Sequence, residues 1–96
     1  MTRQEQLLVI LMEECAEVSQ RASKALRFGL TDPAGTEPGQ PYTNQDRLLV
    51  EINDLLAILD MMFKSRGTYN SPMLQQDKKE KVEKYLKLSK KLGTLK

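Results

Sequence analysis

Apolar residues recur every three or four positions between Arg3 and Phe28: Leu7, Leu8, Leu11, Cys15, Val18, Ala22, Ala25 and Leu26. That spacing predicts a long amphipathic helix, and Gly29 stands where such a helix stops. A second run, Asn44 to Arg66, is apolar nearly all round: Leu48, Leu49, Val50, Ile52, Leu55, Leu56, Ile58, Leu59, Met61, Met62 and Phe63. A helix hydrophobic on every side belongs at the centre of a fold. Thr43 or Asn44 can cap it, and Asp46 falls in the first turn, where the helix dipole favours an anion. Ser71-Pro72 pairs an N-cap residue with a proline at the first helical position. It opens a third segment that runs to Leu92 and stops at Gly93. The apolar stripe of this segment (Leu74, Val82, Tyr85, Leu86, Leu88, Leu92) is narrower, and the rest is rich in lysine.

Residues 30–43, LTDPAGTEPGQPYT, hold three Pro and two Gly and break any regular element. A loop of that length in a small domain reads as a lid or substrate loop, with a tolerated surface insertion as the plain alternative. There are no internal repeats, no sustained heptads and no alternation of the kind strands require. The pattern therefore predicts an all-α, three-helix protomer whose two long helices form the core.

Composition narrows the picture. The chain has 96 residues, enough for one domain with a modest core. Aromatics are few (Phe28, Phe63, Tyr42, Tyr69, Tyr85), so Leu and Met fill that core. Such a domain gains core by self-association, which points to a homo-oligomer. One cysteine, Cys15, rules out an internal disulfide and a multi-cysteine zinc site. With no histidine, imidazole bases, His-ligated zinc and Ser-His triads are excluded. Acid–base chemistry falls to carboxylates, lysine, tyrosine or metal-bound water. The apolar run Leu7–Met12 is too short for a signal peptide and is followed by two Glu, and no run approaches a membrane span. A cytoplasmic protein without membrane contact is the expectation. The net charge of +2 is unevenly spread: residues 1–76 carry seven Lys/Arg and ten acids, whereas residues 77–96 carry eight Lys and three acids.

Four carboxylates interrupt the two core segments. Glu14 and Glu17 lie within VILMEECAEV, and Glu51 and Asp54 within LLVEINDLLAIL. A three-residue spacing puts each pair on one helix face, with Cβ atoms about 5–6 Å apart. Like charges so placed destabilise a helix, and apolar surroundings raise the cost of leaving them unpaired. Glu17 and Arg21 have the spacing of an ordinary i, i+4 ion pair. Glu51 has only Arg47 at such a spacing, and Asp54 has no Lys or Arg there. Antiparallel packing of the two helices would turn the pairs towards each other and form an oxygen cage for Mg²⁺. On the first helix the stripe continues from Glu14 and Glu17 into Arg21 and Lys24. With Arg47, these cations could neutralise a polyphosphate bound through the metal.

The order EECAE at 13–17, then EIND at 51–54, resembles the MazG-like all-α nucleoside triphosphate pyrophosphohydrolase superfamily, whose signature is E-E-x-x-E followed by E-x-x-D. TNQDRLLVEINDLLAILDMM is similar to the second helix of its small phage-type and bacterial members. The resemblance spans roughly residues 5–65. It implies Mg²⁺ as cofactor, with Glu14, Glu17, Glu51 and Asp54 as ligands, and Glu13 as a neighbouring group or proton acceptor. It also implies two antiparallel core helices and a four-helix-type bundle completed by a homodimer or homotetramer. The implied reaction splits a nucleoside triphosphate between the α- and β-phosphates, yielding the monophosphate and pyrophosphate. Arg21, Lys24, Arg47 and Asn53 are the candidate substrate contacts, and Phe28, Tyr42 or Tyr69 would stack on the base.

There are departures from the pattern. Val50 replaces a frequent Glu, Asn53 a frequent Gly, and 33 residues separate Glu17 from Glu51. The absence of histidine argues against the phosphoribosyl-ATP branch. A different class of function is a non-catalytic helical binding module, in which the Lys-rich helix of residues 77–96 contacts nucleic acid or protein. There Glu80 and Glu83 interleave the lysines, which favours a solvated face over a nucleic-acid surface.

Overall fold

The computed structural model describes residues 1–31, 42–67 and 70–96 of the chain, and the side chain of Arg66 is not described. Most of the expected loop 30–43, and Tyr69 with it, therefore lies outside the described residues. Helix α1 spans Arg3–Phe28, α2 Asn44–Phe63 and α3 Pro72–Leu92. A single 3-10 turn, Lys64–Arg66, follows α2, so the second helix closes three residues before its pattern ends. Among the described residues there is no strand, and no helix is long and apolar enough to cross a membrane.

Local chemistry explains each boundary. Thr2 accepts a hydrogen bond from the Glu5 amide and starts α1. Thr43 does the same for α2 through a full capping box: its hydroxyl accepts from the Asp46 amide, and the Asp46 carboxylate accepts from the Thr43 amide at 2.9 Å. Ser71 caps α3 ahead of Pro72. Gly93, at φ 85°, ends α3 in the left-handed conformation that glycine adopts without a Cβ clash.

Two hydrogen bonds join the exit of α1 to the entry of α2. The Asn44 side-chain amide donates to the Gly29 carbonyl at 2.8 Å, and the Gln45 amide donates to the Leu30 carbonyl at 2.8 Å. They fix the two helices as an antiparallel pair at that end. Asn44 is therefore not the cap. Among the described residues it is the most buried, at 1 % exposure.

Along the seam, α1 turns in Leu7, Leu11, Glu14, Val18, Arg21 and Ala25, and α2 turns in Asn44, Arg47, Leu48, Glu51, Leu55, Ile58 and Met62. The apolar set of α1 thus divides. Leu8, Cys15, Ala22 and Leu26 are exposed, Leu26 by 88 %. The central position expected for α2 is likewise only half realised, because Leu49, Val50, Leu56 and Met61 are open. The reason is that α2 has one helical neighbour: α3 packs on neither α1 nor α2, and its whole apolar stripe is exposed.

Replacing Asn44 by Ala removes the tether and leaves the Gly29 carbonyl short of a partner inside the pair. The expected loss is about 1–3 kcal/mol in urea unfolding. Gln45→Ala removes only an exposed side chain and should stay within about 0.5 kcal/mol of the native chain. Equal effects of the two substitutions would refute the tether.

Candidate metal centre

Midway along the seam, Glu14 and Glu17 from α1 meet Glu51 from α2. One carboxylate oxygen from each lies within 4.8 Å of those of the other two. Glu14 and Glu51 are half-buried and Glu17 is exposed. Asp54 stands outside this trio, exposed on the next turn of α2, yet near enough to repel both Glu14 and Glu51. The structure thus gathers the four expected carboxylates into one field, three of them in ligand-forming proximity. Glu13 is exposed beside them and adds the smallest repulsion felt by Glu14.

The charges are poorly matched. The Glu14 carboxyl is held above the ordinary carboxylate range by burial, then by Glu17 and Asp54. Glu51 is raised as well, first by burial and then by its hydrogen-bonding contact with Glu17 and by the surrounding acids. One oxygen of Glu14 and one of Glu51 are buried without a hydrogen-bond partner. No cation answers them. The single ion pair among the described residues is Lys64–Asp60 at 3.9 Å, on the surface. The i, i+4 bridge from Glu17 to Arg21 is not formed, and neither is one from Arg47 to Glu51.

The remaining candidates fall into two groups. Arg21, Lys24 and Arg47 are half-buried along the same seam. The Arg47 Nε is buried and unpartnered, and its guanidinium lies 5.5 Å from the ring centre of Tyr42. Phe28 carries a similar partner, Arg27, at 5.0 Å. Asn53 is not brought to the cluster. Two positions beyond Glu51, it lies about 200° round the helix, exposed, with its amide donating to the Leu49 carbonyl at 2.8 Å. The Tyr42–Arg47 stack was not legible in the sequence. Tyr42 precedes the helix, so no helical spacing connects it to Arg47.

A hard divalent cation suits this donor set. Mg²⁺–oxygen bonds of about 2.1 Å place opposite ligands about 4.2 Å apart, close to the spread of the three glutamate oxygens. The orphaned oxygens are the groups a cation would satisfy. Compared with known proteins, the chain matches no family model, no curated protein and no solved structure.

The raised carboxyls have a measurable consequence without metal. A carboxyl whose folded pKa lies above its unfolded value binds more protons in the native state, so its ionisation lowers stability as pH rises through the folded pKa. Glu51→Gln removes that cost. In a chelator at pH 7.5 the Gln variant should therefore melt above the native chain. The difference should shrink as pH falls towards 4.5, where the native carboxyls take up protons. A Gln variant that melts lower at pH 7.5 would refute the repulsion.

Proposed function

We propose that the chain is a Mg²⁺-dependent nucleoside triphosphate pyrophosphohydrolase of the MazG-like class, acting in the cytoplasm as a homodimer or homotetramer. The observation that carries this reading is the carboxylate cluster at the α1–α2 seam, with its orphaned oxygens and no neutralising side chain. A structural ion-pair network would have recruited Arg21, Lys24 or Arg47, and none of them pairs.

In this reading Glu14, Glu17, Glu51 and Asp54 hold the ion. Bound there, the metal supplies a water of lowered pKa and offsets phosphate charge. Arg21 and Lys24 continue the α1 stripe beyond the acids and bind the polyphosphate. Arg47, one turn before Glu51, joins them through its unpaired Nε–H. Glu13, facing solvent beside Glu14, accepts the proton of the attacking water. Cleavage between the α- and β-phosphates then gives the nucleoside monophosphate and pyrophosphate. Tyr42 is exposed and is stacked on Arg47, itself one of the phosphate-binding cations. It is the candidate base contact. The separate Lys-rich α3 supports a second reading, a binding module for nucleic acid or protein.

A panel of nucleoside triphosphates assayed for pyrophosphate release distinguishes this chemistry from that of a phosphatase, which releases orthophosphate. Mg²⁺ should raise the melting temperature of the native chain and leave Glu51→Gln unchanged. The same variant should lose activity by about 100-fold or more while remaining folded. A melting temperature indifferent to Mg²⁺, together with salt-sensitive DNA binding, would favour the module instead.

A further inference from the structure

The α1–α2 pair has two unlike faces. Glu17 on α1 and Asp54 on α2 flank the seam on the same side, since both border the Glu14–Glu51 contact. At about 100° per residue, the exposed row Leu8, Met12, Cys15, Leu26 lies on the opposite flank of α1. By the same rotation, Leu49 and Leu56 lie on the opposite flank of α2, continuing from half-buried Ile52 and Leu59. One side of the pair therefore carries the acids, with Val50 and Met61 open among them, and the other carries the larger share of the exposed apolar side chains. A soluble monomer rarely leaves so continuous an apolar face uncovered.

Helix α3 has the matching need. It is 21 residues long, about 30 Å, and an amphipathic helix draws most of its stability from packing its apolar stripe. That stripe, with Val82, Tyr85, Leu88 and Leu92, is exposed throughout. The helix starts beside the apolar side of the pair, where Asn70 and Gln75 border a cleft with Leu56 and Leu59. It then runs clear of α1 and α2. Charge is complementary at the edge of that face: by the same rotation Glu5 and Asp60 border it and no Lys or Arg of α1 or α2 does, whereas α3 carries seven lysines and three acids.

We propose that α3 is an exchange arm, packing its Val82–Leu92 stripe on the apolar α1–α2 face of a second copy while receiving that copy's arm in return. Such a contact is isologous and closes on itself, so it generates a dimer and not a fibre. It rests on the self-association proposed above and names the surface that carries it. It leaves the carboxylate side of both copies open.

The test uses the full chain without metal or nucleotide, so its outcome is independent of the hydrolase reading. Unlabelled and ¹⁵N-labelled protein are unfolded together, refolded and treated with a zero-length amine–carboxyl cross-linker. Cross-links between α3 lysines and α1 or α2 acids should join labelled to unlabelled peptides, and light scattering should give twice the 11.0 kDa chain mass or a higher even multiple. The double substitution Tyr85→Glu and Leu88→Glu should weaken association at least tenfold and remove these cross-links. A monomeric native chain would overturn the proposal. So would α3 cross-links confined to a single isotope, meaning the arm folds back on its own copy. So would an unchanged dimer in the Glu variant, or an α3 that cross-links only after duplex DNA is added.

Discussion

Repulsion across the α1–α2 seam is the constraint around which the rest of this fold is arranged. Two half-buried glutamates, one from each helix, face each other with Glu17 and Asp54 close by. The pair is held elsewhere. At one end, Asn44 and Gln45 bind the carbonyls of Gly29 and Leu30, and Ala25 is buried near that end of α1. The other buried apolar residues, Leu7 and Met62, lie towards the opposite ends of their helices. Cohesion at the ends thus brackets a strained middle. A packed core would have put leucine at positions 14 and 51, which is why the carboxylates read as a site and not as structure.

The same constraint accounts for the division of surfaces. The acids lie at one flank of the seam and most of the exposed apolar residues at the other. Leu8, Met12 and Leu26 on α1 and Leu49 and Leu56 on α2 are that share, while Val50 and Met61 are open on the acid side. In the function proposed, the two faces take different partners, a cation on one and an apolar surface on the other. Their chemistry keeps these apart. A lysine-rich amphipathic helix can cover leucines with its stripe while its charges remain solvated.

Much of this was legible in the sequence because it rests on local chemistry. Helix α1 ends at Phe28 with Gly29 following, and α3 runs from Pro72 to Leu92, because capping residues and glycine act on their immediate neighbours. Spacing put each carboxylate pair on one helix face, and the structure brings Glu14, Glu17 and Glu51 together at the seam while leaving Asp54 outside the trio. What the pattern could not supply was rotational phase. A helix apolar on all sides, as α2 is, does not say which leucines face inward, so the exposure of Leu49 and Leu56 and the outward turn of Asn53 were hidden. Asn44 was also hidden: a residue of the usual capping type became a buried crossbrace because Thr43 took the cap.

Metal ligation demands that carboxylates be held to within about half an ångström. Two helices that bury only Leu7, Ala25, Met62 and Asn44 are a weak frame for that, because repulsion in the middle of the seam tends to part them. Covering the apolar flank would stiffen both helices from behind, without touching a ligand. The two faces, though opposite, are then coupled through the seam. An ion bound as proposed would draw Glu14 and Glu51 together, and a cover on the apolar flank would limit how far the glutamates separate. Such a coupling would be reciprocal by thermodynamic necessity, and it would give the chain a physical reason to carry its acids and its unpartnered leucines on the same two helices.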